Sequence, residues 1–270
     1  MEKLQAFIDN FISGGDLNRY VILALILVAG SLGIGAAGRF VFGKRSLLGT
    51  SVSSAIAIVF LYALTATFLA LGSEFSRFTA PLPFVTVADE QMVFFTFTES
   101  NHAEICTQLL NMVILAFVVS IADRFLPQGK NIFIWLFFRV ITVAFGFLAH
   151  FLVSYLLGSL LPEGIAQYAP TVMLILLGVM LLTGALKFLV GIVISTVNPI
   201  IGALYTFFFA NVIGKQITRS VLTTVILALL IFALEQLGLC AISICVESLI
   251  LYIPYGAALL GLWYLSNRVF

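Results

Sequence analysis

The ionisable side chains that the sequence places at membrane depth are His150, Lys187 and Glu235, with Arg139 nearer the end of its apolar run. A charged group at membrane depth is costly, so each is a functional candidate by default. Imidazole titrates near neutral pH, which makes His150 the candidate for a proton relay. A histidine that hydrogen-bonds to a neighbouring helix is the alternative.

Arg139 and Lys187 have long side chains and lie within reach of the inner headgroups. The sequence predicts that both snorkel to that surface, with a transport role as the alternative. Glu235 lies one turn from the outer end of its run, where a solvated helix end explains it equally well. If protons or cations move through the protein, His150 and Glu235 are the best-placed pair.

Asn198 and Pro199 interrupt another apolar stretch. Backbone groups freed by such a break need protein or water partners, and broken helices of this kind line substrate sites in transporters. A simple turn between two helices would use the same residues. Both interpretations stay open at this point.

Gly33, Gly35 and Gly38 fit the G-x-G-x-x-G fingerprint of dinucleotide sites, but no strand precedes them and no acidic residue follows at the required distance. Together with Ala29 and Ala37, they are instead small residues that let membrane helices approach closely. We predict a packing role for this stripe and impaired folding in Gly33→Leu. No cofactor is expected.

Other chemistry lacks its usual residue patterns. The sequence contains no Walker A, H-E-x-x-H or G-x-S-x-G motif and no Asp-rich metal motif, which argues against an enzyme. The three cysteines form no C-x-x-C pair, which disfavours a redox or zinc site. Thirteen basic against twelve acidic residues, without a basic cluster, exclude nucleic acid as a partner.

The amino-acid composition predicts that membrane-spanning helices position the candidate side chains. The 270 residues are 62% hydrophobic and 9% charged, whereas soluble domains carry about 25% charged residues. We therefore predict an all-α, polytopic transmembrane helix bundle. Seven runs are long enough to cross: Tyr20 to Phe42, Leu47 to Leu71, Ile105 to Phe125, Ile132 to Leu161, Pro170 to Ser195, Val221 to Leu239 and Leu249 to Asn267.

The apolar stretch from Asn198 to Gly214 is short for a crossing, which favours a re-entrant or short helix; a full eighth span is the alternative. With seven crossings, ten basic residues lie on one side and three on the other, whereas eight crossings give seven and six. The positive-inside rule favours seven, with the N-terminus outside and the C-terminus cytoplasmic.

Two further elements flank the spans. Residues 1–18 predict an amphipathic helix in the headgroup layer, ahead of a single transmembrane domain at 19–270. The acidic loop 73–104 is predicted outside the membrane, with strand-like runs at Phe84 to Val87 and Met92 to Phe97 that form a small β-hairpin.

Segments 20–72 and 170–214 look alike and predict an internal repeat; chance similarity between apolar stretches is the alternative. Each unit would be one span, a basic residue at its inner end and a returning helix.

The chain resembles the colicin V production (CvpA) family of bacterial inner-membrane proteins. The resemblance rests on a first span and basic turn that includes Gly38, Arg39 and Lys44, and on the later run at Gly202 and Ala203. It implies an inner-membrane protein that assists envelope maintenance or toxin export. The alternative is a small-solute or ion transporter built on the repeat. Expected partners are the lipid bilayer and other membrane proteins or a second copy.

Overall fold

The computed structural model describes residues 47–71, 82–88, 91–125, 131–160 and 167–269. In these ranges the chain is mainly helical, with one small antiparallel sheet. The predicted N-terminal helix (1–18), the predicted first crossing and most of the first repeat unit lie outside them. So do the small residues of the predicted packing stripe: Ala29, Gly33, Gly35 and Ala37.

Eight α-helices and one π-helical segment make up the described helical part. Helices α1 to α8 cover Leu47–Ala70, His102–Phe125, Ile132–Leu160, Ala169–Thr183, Lys187–Val197, Pro199–Leu204, Lys215–Gln236 and Val246–Val269. The π-helical segment, Tyr205–Gly214, joins α6 to α7. Prolines stand in the first turns of α4 and α6, where a missing backbone N–H costs nothing.

Four described helical stretches are long and apolar enough to cross a membrane: Gly49–Ala70, His102–Asp123, Ile132–Leu152 and Pro199–Gln236. A fifth results if the bent pair α4 and α5 counts as one span. Like the composition, these helices are consistent with a membrane protein. Helix α8 covers the last predicted run as well.

The predicted crossing from Pro170 to Ser195 is not a single helix but a bent pair. Helix α4 ends at Thr183, α5 begins at Lys187, and the two are bent by 74°. Glycine, at position 184, is a poor helix former and stands at this break. The Tyr205 hydroxyl donates to the Leu182 carbonyl across 3.1 Å, so the helix end has a polar partner.

The predicted separation of residues 198–214 from the run at 221–239 is wrong. Pro199–Gln236 is one helical stretch of 38 residues, about 57 Å at 1.5 Å per residue. The eight-crossing alternative needs a turn near Lys215, and the helix continues there. The stretch contains the π-helical segment, in which the Asn211 side chain donates to the Thr206 carbonyl at 2.6 Å.

The core lies between α1, α2 and α7, with α3 packed on α1 and α2, and α8 on α1. Helix α4 packs on α2 and α7. The large apolar side chains that are fully buried are Ile58, Leu61, Phe84, Met112, Leu115, Val119 and Trp263. Serine and threonine residues are buried beside them, and many of these donate to a carbonyl one turn back in their own helix.

A three-stranded sheet caps one end of the bundle. Strands β1 (Val85–Ala88) and β2 (Gln91–Phe94) form the predicted hairpin, and β3 (Ala241–Ser243) adds antiparallel to β2. The third strand was not predicted. Because β2 and β3 pair, the segments after α1 and after α7 lie at the same end of the bundle.

Candidate functional site

Three charged side chains from three helices meet inside the bundle. Asp123 of α2 accepts from Arg139 Nη1 of α3, and its second oxygen lies 2.8 Å from Arg219 Nη2 of α7. Asp123 is 8% exposed, Arg139 1% and Arg219 8%. We call these three residues the charge cluster.

The helical period places these groups on the core face. In α7, Gln216, Arg219 and Thr223 follow one another at spacings of three and four, so they form one stripe along the helix. All three are buried. The Gln216 amide donates to the Ser120 hydroxyl of α2, one turn before Asp123. The stripe therefore faces the helix that carries the carboxylate.

Arg219 also holds the first turns of α1. Its Nε and Nη2 donate to the Thr50 carbonyl at 3.3 and 3.1 Å, and its Nη1 donates to the Ser120 carbonyl at 3.4 Å. In return, the Ser51 hydroxyl donates to the Arg219 carbonyl at 3.3 Å. Planar guanidinium groups suit several simultaneous acceptors, and this one joins α1, α2 and α7.

Arg139 extends the cluster toward α8. Its guanidinium carbon lies 5.7 Å from the ring centre of Trp263, within the range of a cation–π contact. The Trp263 indole N–H donates to the Ser53 hydroxyl at 2.9 Å, and Trp135 packs edge-on against the same ring. Helices α1, α3 and α8 are therefore fixed around one arginine.

Two guanidiniums share one carboxylate, so the cluster has two ways to be rearranged. A ligand anion can replace Asp123 on either arginine, and Asp123 can hold one arginine while it releases the other. Taking either partner away leaves charge in a low-dielectric site, which is strongly unfavourable. Within the described ranges, no three His, Cys, Asp or Glu side chains are grouped to hold a metal ion.

The snorkelling predicted for Arg139 is wrong, because Asp123 provides a partner inside the bundle. Lys187 opens α5, and its ammonium lies 5.1 Å from the ring centre of Phe188. His150 is buried in α3, eleven residues beyond Arg139, or about 16 Å along the helix.

Glu235 binds the loop after β2. Its carboxylate accepts from the backbone N–H groups of Phe97 and Thr98 at 3.0 and 3.1 Å, and also from the Thr98 hydroxyl. Three donors on one carboxylate fix the end of α7 to the segment that follows the sheet. This geometry gives Glu235 an anchoring position.

Asn198 and Pro199 form a turn between α5 and α6. The Asn198 side chain accepts from the N–H groups of Ile200 and Ile201 at 2.9 and 3.2 Å, and Pro199 needs no acceptor. Asn198 and Pro199 therefore have the geometry of a turn between two helices. The Asn198 side chain satisfies the backbone N–H groups that the break would otherwise leave without a partner.

Sequence reasoning missed Asp123, Arg219 and Gln216. Asp123 stands in a predicted run but next to Arg124, where it reads as part of a charged helix end. Arg219 was counted among the basic residues of the inner side, between the short stretch at 198–214 and the run that begins at Val221. The available signal was the polar stripe at Gln216, Arg219 and Thr223, which continues at helical spacing into an apolar run.

Comparison with known proteins leaves the resemblance to the CvpA family untested. No protein-family model matches the chain, and neither a curated protein nor a solved structure matches it. That resemblance stays an expectation carried by short motifs around Arg39 and Gly202.

Proposed function

We propose that the protein is a membrane carrier for a small solute or ion, and that the charge cluster is its binding or coupling site. The observation that supports this is the burial of Asp123, Arg139 and Arg219 from three helices at one point. Ionisable residues in the interior of membrane bundles mark ion and substrate pathways.

Two features beside the cluster support movement. The π-helical segment ends at Gly214, five residues before Arg219, and the bend between α4 and α5 packs against it. Short π-helical segments occur frequently at functional sites, and helix ends absorb the backbone changes of hinge motions. A change in this region is transmitted directly to Arg219 because the helix is continuous.

Flux into proteoliposomes tests the carrier. A panel of small anions, cations and protons is offered to purified protein, and Asp123→Asn is expected to abolish the flux seen with the unchanged chain. Asp123→Glu keeps the charge and is expected to retain part of it. Glu99→Gln removes an exposed carboxylate outside the cluster and serves as the matched control.

Absence of flux for the whole panel, with protein shown to be folded, contradicts the carrier. Equal flux in the unchanged chain and in folded Asp123→Asn contradicts the role of the cluster.

A second candidate is a CvpA-like membrane component that assists envelope maintenance or export through partner proteins. It is favoured by the outward-facing apolar side chains of α5, α6 and the π-helical segment, among them Phe188, Val197, Ile200 and Phe207. Large exposed apolar patches mark membrane or protein contacts. Loss of an envelope phenotype in Phe207→Ser, without any flux in the unchanged chain, would favour this function.

We further propose seven crossings of a bacterial inner membrane, with the N-terminus outside and the C-terminus cytoplasmic. The pairing of β2 with β3 supports this, since it requires 73–104 and 237–245 on one face. With seven crossings, both segments fall outside. Impermeant maleimide applied to intact cells is expected to label a cysteine placed at Thr98; labelling only after lysis would reverse the orientation.

A further inference from the structure

A groove that contains several polar side chains lies between α5 and the π-helical segment. It has a volume of about 460 Å³ and is open to the outside of the bundle. Its polar lining consists of one ammonium, three hydroxyls and one amide: Lys187, Ser195, Thr196, Thr206 and Asn211. None of the described residues that line it is acidic.

Close packing of the two helices shapes this groove. A Cβ at Gly191 would come within 3.3 Å of the Thr206 hydroxyl oxygen. Because glycine has no side chain, the two helices can approach closely at the base of the groove. A Cβ at Gly202 would overlap Ser195, and this contact fixes the closed end of the pair near Asn198. The groove is therefore part of the helix pair and does not depend on a loop.

The charge of the groove is positive. The ion pairs among the described residues all involve Asp123, which lies in the charge cluster, so Lys187 has no described carboxylate within 4 Å. Its contact in the structure is the ring of Phe188. The hydroxyls of Thr196 and Thr206 donate to the Val193 and Gly202 carbonyls, so the charge that can bind a phosphate oxygen is the Lys187 ammonium.

The surroundings of the groove are apolar. Phe188 and Ile192 form part of its wall and are 74% and 61% exposed, and Leu189 and Val193 continue the apolar surface of α5. A free anion would gain nothing from these side chains. A phospholipid would place its phosphate on Lys187 and its acyl chains along α5.

We propose that this groove binds the phosphate of an anionic phospholipid headgroup. Lys187 supplies the charge, Thr206 and Ser195 lie within the polar lining that faces the headgroup, and the exposed apolar side chains of α5 contact the acyl chains. The site is separate from the charge cluster, so it stands whether or not the protein carries a solute.

Native mass spectrometry of the purified full chain, with added phosphatidylglycerol or phosphatidylcholine, tests the site. Phosphatidylglycerol is expected to remain bound in preference to phosphatidylcholine. Lys187→Gln is expected to reduce the affinity for phosphatidylglycerol about fivefold, because this is the contribution of one lysine to binding an anionic headgroup. Lys187→Arg is expected to keep it.

Lys215→Gln is the matched control, since Lys215 is an exposed lysine that does not line the groove. Equal loss in both glutamine variants would indicate general charge attraction and overturn the site. Equal binding of the two lipids, or no loss in Lys187→Gln, would overturn it too. Displacement of the lipid by millimolar inorganic phosphate would assign the groove to a free anion instead.

Discussion

Asp123 is the residue on which the interior of the bundle depends most. It is the carboxylate shared by Arg139 and Arg219, and all three side chains are buried. Asp123→Asn keeps the shape but removes the charge between two cations. We expect a loss of about 3–5 kcal/mol in the free energy of unfolding, the usual result of breaking a buried pair. Unfolding in mixed detergent and dodecyl sulfate micelles measures it.

A matched comparison separates charge from packing. Ser120→Ala removes a hydroxyl beside the same helix end and is expected to cost less than Asp123→Asn. If the two variants lose equal stability, the electrostatic account of the cluster is wrong.

The thiol of Cys240 provides a test at the end of the bundle that carries the sheet. It lies between α7 and β3, where partial burial raises the pKa of its thiol, and the nearby carboxylates of Glu235 and Glu99 raise the pKa further. The thiolate is the reactive form. Alkylation at Cys240 is therefore expected to be slow near pH 8 and to rise at a higher pH than for a free thiol.

Mass spectrometry of the Cys240 peptide after timed iodoacetamide treatment gives the pH–rate profile, with glutathione as the reference. Glu99→Gln is expected to move the midpoint to lower pH. A profile that coincides with glutathione would contradict the raised pKa.

At the scale of elements, the contact between α4 and the end of the π-helical segment leaves no room for a side chain. A Cβ at Gly214 would overlap the Thr183 side chain. Gly214→Ala is therefore expected to force the helices apart and to destabilise the protein by about 1–3 kcal/mol, as overpacking does.

Gly178→Ala is the control, because a Cβ there meets nothing within 4 Å in the same helix α4. It is expected to be neutral or to stabilise by up to about 1 kcal/mol through helix propensity. Thermal denaturation of both variants in detergent measures the difference. A stable Gly214→Ala variant would show that α4 is not held against this segment.

The sequence predicted most elements whose identity depends on local pattern. Helices α1, α2 and α3 follow from apolar length, and the β1–β2 hairpin follows from its strand-like residues. The bend between α4 and α5 and the continuous stretch through Lys215 did not follow. Both involve tertiary partners: Tyr205 lies at the end of α4, and Asp123 pairs with Arg219, which had been placed in an exposed segment before Val221.

Dependence on tertiary partners also explains why the sequence did not predict the charge cluster. Arg139 was correctly singled out as a charge in an apolar run, but its partner, 16 positions earlier, could not be assigned without the packing of α2 on α3. Glu235 was likewise recognised without its partner Thr98, which lies 137 positions away. Residue type is visible in a single sequence, whereas pairing over such distances is not.

At the scale of the whole molecule, the sheet joins two segments that are far apart in the chain. Gln91 lies opposite Ser243, and Val93 lies opposite Ala241. In a background without native cysteines, we expect Gln91→Cys with Ser243→Cys to cross-link on mild oxidation. If this sheet lies on the outer face, as proposed above, an impermeant oxidant is sufficient.

Gln91→Cys with Ala241→Cys is the control, because these positions are out of register by two residues. A gel shift after protease cleavage between α3 and α4 reports the cross-link. Equal yields for the two pairs would contradict the register, and no yield for either would contradict the pairing of β2 with β3.

The spacing of the charge cluster along the chain has a consequence for biosynthesis. Asp123 and Arg139 are 16 positions apart, so α2 and α3 can leave the translocon as a hairpin whose ion pair is already formed. That pairing lowers the insertion cost of each charge, which is about 2.5–3.5 kcal/mol at the centre of a single helix. Arg219 is synthesised 96 positions after Asp123, when the carboxylate is already in place. We therefore expect an ordered assembly, in which α7 gains its counter-ion by joining a hairpin of α2 and α3 that has inserted before it.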